Sequence, residues 1–178
     1  MEEIEDPTER LRETMEAAEE KKERWTLYVA LSTAIIAVLA AIAGMLGNHH
    51  ANEAMLEQVK SSDQWAYYQS KSIKSEVAGS TATILAALGK PLPTENASKI
   101  EQYKTEKEEI KKGAEELEKS SEEHMRVHVV FSRAVTIFQI AIAISAIAIL
   151  TRKKMMWYAS MLLMALGCVF LVLGFLTH

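Results

Sequence analysis

The chain has 178 residues, 49% of them apolar and 25% charged, with a formal net charge of −4. The absence of a basic excess excludes nucleic acid as an expected partner. The single cysteine, Cys168, excludes an intramolecular disulfide and any cysteine-based zinc motif.

Apolar and charged residues fall into separate blocks, the pattern of a membrane protein that carries a polar domain. The first ten residues, MEEIEDPTER, are acidic where a signal peptide is basic, so this segment is expected to be retained. Residues 1–24 are predicted to form a cytoplasmic amphipathic helix. Asp6 is placed to cap it, Pro7 to occupy its first position and Glu9 to complete a capping box. Leu11, Met15, Ala18 and Trp25 form one narrow apolar stripe along it. Residues 25–47 form the first predicted transmembrane helix, with about 22 uncharged residues to cross ~30 Å of hydrocarbon. Trp25 and Tyr28 suit its interfacial end. Ala30, Ala34, Ala37, Ala41 and Gly44 make a small-residue face fit for another span or another copy.

Residues 48–126 are predicted to form an extracytoplasmic helical hairpin. Asn52, Leu56, Val59, Ala66, Ile73, Val77 and Ile84 recur at spacings of three and four, giving a helix from about Ala51 to Leu88. Gly79 is its expected weak point. Gly89, Pro91 and Pro93 end it. A second helix should start between Thr94 and Ser98, with Ser98 and Glu101 as a capping box. Its inner stripe is Ile100, Tyr103, Ile110, Ala114, Leu117, Ser121, His124 and His128. Asn96-Ala97-Ser98 matches a glycosylation acceptor only formally, within a helix-start signal.

Residues 127–150 form the second predicted transmembrane helix. Arg133 lies near enough to its end to snorkel, whereas Gln139 is deeper and should hydrogen-bond across helices. Ala141, Ser145 and Ala148 give this span a small-residue face. Residues 151–154 make a short basic turn, and residues 155–178 form the third transmembrane helix, opened by Trp157 and Tyr158. The positive-inside rule places Arg152, Lys153 and Lys154 in the cytoplasm. The hairpin is then outside and the amino terminus inside, where Lys21, Lys22 and Arg24 border the first span.

Two groups of residues stand out as candidate sites. His49, His124 and His128 fall at the root of the hairpin, the last two four residues apart on one helix face. With Glu53, Glu122 and Glu123 nearby in sequence, they form a candidate metal or haem site, although no HExxH pattern is present. The second group is the segment SDQWAYYQSKSIK, residues 62–74. Trp65, Tyr67 and Tyr68 cover too much of the helix circumference for one hairpin core, so part of this cluster is expected to meet another helix or another copy. Ile73 and Val77 extend that contact in the hairpin, and Gln139 in the membrane. No phosphate-binding loop and no nucleophile–base arrangement appears.

SDQWAYYQSKSIK, the later IFQIAIAISAIAILTRKK and the following Trp157-Tyr158 resemble an uncharacterised bacterial family of three-span membrane proteins, a domain of unknown function. The resemblance runs from about residue 20 to the end. His128 matches a histidine that precedes the second span in that family, while His49 and His50 depart from its pattern. The resemblance implies the three-span topology and no activity.

The fold expected is therefore all-α: three transmembrane helices with a long extramembrane hairpin between the first and second. The expected function is non-enzymatic, a self-assembling scaffold or accessory subunit of a membrane complex in the bacterial inner membrane. Its partners would be the bilayer and either further copies or a larger complex, with no cofactor. The alternative is a metal- or haem-binding redox protein using the histidines.

Overall fold

The computed structural model describes residues 7–91 and 93–177, which are almost wholly helical and contain no strand. Three helices follow one another: α1 over Pro7–Ala87, α2 over Thr94–Thr151 and α3 over Lys154–Leu176. Each contains a stretch long and apolar enough to cross a membrane.

Gly79, the expected weak point, does not interrupt α1. α1 passes through both Gly47 and Gly79 as one 81-residue helix, and α2 runs unbroken through Val127. A glycine in a helix interior costs only about 1 kcal/mol relative to alanine, which long flanking runs of good helix formers absorb. Nothing lies within 4 Å of a Cβ built at Gly79, so its side-chain position is open space. Pro7 is the first residue of α1, while the cap expected from Asp6 lies outside the described residues.

The end of α1 follows a Schellman pattern. Lys90 N–H donates to the Leu85 carbonyl at 2.9 Å and Gly89 N–H to the Ala86 carbonyl at 3.1 Å, with Gly89 left-handed at φ 65°. The Ser98–Glu101 capping box does not open α2. Asn96 and Ala97 already donate to the Pro93 carbonyl, at 2.9 and 3.3 Å, so the helix starts at Thr94 and Ser98 lies inside it. The α2–α3 turn is tighter than the basic segment implied: only Arg152, at φ 55°, and Lys153, extended, separate the helices.

Contacts divide the chain into two units, residues 1–47 with 129–178 and residues 48–128. In the first, Ile36, Ala43, Ala134, Phe138 and Ala141 form the buried core. It contains a pair of close ring-on-glycine contacts seven residues apart. A Cβ at Gly167 would sit 2.6 Å from the Phe138 ring, and a Cβ at Gly174 would sit 2.6 Å from the Phe131 ring. Phe175 meets Phe131 edge-on at 5.7 Å. The seven-residue repeat on both helices is the period that keeps two helices in register along a seam. Hydroxyls join all three helices of the unit: Ser160 Oγ donates to the Ala141 carbonyl at 2.8 Å, Trp157 Nε1 donates to Ser32 Oγ at 3.1 Å, and Thr33 and Ser145 share a hydroxyl–hydroxyl bond. Ser145 and Ala148 are buried in this unit, as Ala141 is, whereas Ala30, Ala34, Ala37 and Ala41 are exposed on it.

In the second unit, the arm of α1 and the arm of α2 pack antiparallel. Ser61 Oγ donates to the Ala114 carbonyl at 3.1 Å, and Ser121 Oγ donates to the Ala54 carbonyl at 2.7 Å. All four residues are buried. These reciprocal bonds, again seven residues apart on each arm, need small side chains, because the hydroxyl must reach a backbone on the opposite helix.

Candidate functional site

On α2 the seam of the hairpin follows the expected stripe, with Ile100, Tyr103, Ile110, Ala114, Leu117, Ser121, His124 and His128 all buried or half-buried, whereas on α1 it is not the one the apolar spacing implied. Ala54, Ser61, Tyr68 and Lys71 of α1 contact α2, and Ala78, Ala82 and Leu85 continue the same half-buried side; these residues are small or polar for the most part. The apolar stripe lies on the outside: Leu56, Val59, Ile73, Val77 and Ile84 are exposed, the last three at 61–62%. The seam chose small residues because its helices approach closely and exchange hydroxyl–carbonyl bonds, leaving the branched side chains to point away. Ile73 and Val77, expected as contact residues, stand in this outer stripe and touch nothing that would cover them within the unit.

The aromatic cluster splits between the two faces. Trp65 and Tyr68 are half-buried and pack edge-on at 5.6 Å. Lys107 of α2 sits 5.3 Å from the Tyr68 ring, so both arms contribute to this part of the hairpin. Tyr67 is 50% exposed on the outer side.

Lys71 is the polar hub between the arms. Its ammonium lies 5.3 Å from the Tyr67 ring and 5.4 Å from the Tyr103 ring, and it forms an ion pair with Glu106 of α2. Gln102 donates to the other Glu106 oxygen at 2.8 Å. The hydrogen bond to Glu106 raises the Lys71 pKa above its ordinary value, against partial desolvation. The bond from Lys71, joined by that from Gln102, lowers the Glu106 pKa. Nothing in the spacing of the sequence singled out this pair, because Lys71 lies among serines and Glu106 in a run of mixed charge, and both look solvated.

The histidines are arranged differently from the expected set. The structure pairs His50 with His124: their Nδ1 atoms are 3.0 Å apart and their ring centroids 5.3 Å apart. At that distance one ring donates its Nδ1–H and the other accepts with a bare Nδ1, so the two rings hold opposite tautomers when neutral. His50 is buried. His49 is exposed and meets the His50 ring edge-on at 5.5 Å. His128 is half-buried one turn beyond His124. Among the described residues no three His, Cys, Asp or Glu side chains are gathered closely enough to hold a metal ion. Of the expected ligands, His124 faces another imidazole across the seam, and the partner is His50. The signal for this was in the sequence: His50, Ala54, Glu57 and Ser61 follow the small and polar stripe that forms the seam, and His49 does not.

In the first unit, Gln139 is exposed on α2, opposite the buried Ala141 and Phe138. It makes no hydrogen bond among the described residues, so the cross-helix bond expected of it is not seen among them. Thr136, Ala143 and Ala146 are exposed beside it, and the Thr136 hydroxyl is turned back onto the Ser132 carbonyl at 2.9 Å.

A family model described as a domain of unknown function, DUF4337, matches residues 25–177. No curated protein matches the chain, and no solved structure does.

Proposed function

We propose, for a chain that belongs to the DUF4337 family, a non-enzymatic role as an integral membrane protein that self-assembles, or joins a larger membrane complex, through its helical hairpin. Three helices long and apolar enough to span a bilayer support the membrane anchor. The charge distribution supports a cytoplasmic amino terminus and basic turn, with the hairpin on the far side of a bacterial inner membrane. The observation that carries the assembly reading is the outward apolar stripe of Leu56, Val59, Ile73, Val77 and Ile84 on a hairpin whose own seam is already filled. Its residues fall close to a seven-residue repeat, the spacing by which one helix packs along another, and such a stripe on a polar arm is stabilised by burial against a partner.

The test replaces Ile73 and Val77 together with glutamate in the full-length chain and reads the assembly by native mass spectrometry after mild solubilisation. Loss of the assembly with unchanged helix content supports the reading. An assembly indifferent to both charges counts against it.

A second reading, metal handling at the root of the hairpin, is favoured by one observation: the His50 and His124 Nδ1 atoms face each other from opposite helices at 3.0 Å. Two nitrogens bound to one tetrahedral zinc at about 2.0–2.1 Å each lie only slightly farther apart, so a small opening of the pair would admit an ion, with water completing its shell. Cobalt titration of the purified chain distinguishes the readings. Absorption bands that appear at one cobalt per chain and vanish in His124→Ala support metal handling, and a featureless titration removes it.

A further inference from the structure

We infer that Gln139 is a homotypic contact: in the membrane its carboxamide pairs with Gln139 of a second copy of this chain. The inference rests on the membrane reading above and names the partner of the second span.

Gln139 stands six residues beyond Arg133 and eleven before Leu150. At ~1.5 Å per residue those offsets are roughly 9 and 17 Å, so it lies well inside a hydrocarbon core of ~30 Å. A glutamine side chain reaches only about 5 Å from its helix axis beyond the backbone radius, too short to snorkel from that depth. The backbone carbonyls around it are engaged in the helix. Its amide is exposed on the three-helix unit and bonds to no described residue. Left facing lipid tails, its donors and acceptor would lose water and gain nothing, which costs several kcal/mol for an amide in hydrocarbon.

A second copy fits this face because the carboxamide is self-complementary. Each amide offers an N–H donor and a carbonyl acceptor. Two of them related by a two-fold axis satisfy each other reciprocally, and an isologous dimer supplies that axis. The neighbours on the same face allow the approach. Ala143 and Ala146 are exposed and small, and the Thr136 hydroxyl is already satisfied by its own helix. The positions nearest the amide on this stripe, Thr136, Ala143 and Ala146, are small, while the exposed Ile140 and Ile147 flank it, so a second helix can approach along the small residues.

The experiment uses the full chain in native membranes with Cys168 replaced by serine. A cysteine is introduced at Ala143, one turn from Gln139, or as a control at Leu162 on the exposed side of α3. Membranes are first washed with alkaline carbonate and then oxidised to form disulfides. The expected result is a chain retained in the carbonate pellet, with a cross-linked species of twice the chain mass from Ala143→Cys and little from Leu162→Cys. Adding Gln139→Leu should weaken that dimer about three- to fifteen-fold, the range of interhelical hydrogen bonds in membranes. Adding Gln139→Asn should largely preserve it.

Release of the chain by carbonate overturns the membrane reading and the inference with it. Retention with a cross-link yield that is the same in Gln139→Leu overturns the inference alone. A Gln139-dependent species whose mass is not twice that of the chain gives this face to a different protein, and overturns the pairing between copies.

Discussion

Gly167 and Gly174 hold two aromatic rings against the backbone of α3, a close approach that only glycine allows. A methyl group at Gly167 would lie 2.6 Å from the Phe138 ring, a distance that forces ring or helix to shift. Overpacking of this kind costs about 1–3 kcal/mol. Gly167→Ala should therefore lower the unfolding free energy of the detergent-solubilised chain by about that amount. Phe138→Leu should recover part of the loss in the double variant by vacating the space. Equal stability of Gly167→Ala and the parent would show that the ring does not pack as described. The Lys71–Glu106 pair acts at the same scale in the hairpin. Glu106 has a depressed pKa, so its contribution is present above the ordinary glutamate value and lost as pH falls through the depressed one. Lys71 has a raised pKa, so its contribution is complete below the ordinary lysine value and lost as pH rises through the raised one. The stability difference between the parent and Glu106→Gln should be full at about pH 7 and shrink below about pH 4.3, the unperturbed glutamate value. Thermal denaturation across that range checks it, and a difference independent of pH contradicts the assignment.

At the scale of the element, the hairpin shows which sequence signals carry structural information. Helical periodicity on α1 was legible, because branched apolar residues recur at three and four. The direction of the stripe was not. Periodicity reports that two faces differ and leaves open which of them a partner helix covers. The small face won inside the hairpin because Ser61 and Ser121 each reach a carbonyl across the seam, and a branched residue there would hold the helices apart. The same rule explains the histidines: His50 shares the small and polar stripe of Ala54 and Ser61, while the neighbouring His49 is turned outward. It also places the glutamates of the assembly test. Residues 73 and 77 are exposed, and glutamate is a good helix former, so Ile73→Glu with Val77→Glu should leave the helical content of the chain unchanged while removing the apolar contact. A loss of helicity in that variant would mean that these side chains support the hairpin itself.

For the whole molecule, the all-helical architecture and its membership of a family of unknown function are clear from sequence and structure together. The division into elements was less legible. Changes of composition mark where the environment of a helix changes, and a helix crosses such a boundary without a break when its hydrogen-bonding pattern has no reason to stop. α1 therefore continues from an apolar stretch into a polar arm as one element. The proposed partner is read from two uncovered features among the described residues, the apolar stripe on the α1 arm and the Gln139 amide on α2. Both are faces that a single chain leaves open, and both fit a protein that works as an assembly. The most direct test of that claim is the native mass of the mildly solubilised full-length chain, measured beside Ile73→Glu with Val77→Glu. The account predicts a discrete assembly heavier than one 19.9 kDa chain for the parent and its collapse in the variant. A parent that appears only as a single 19.9 kDa chain would contradict it.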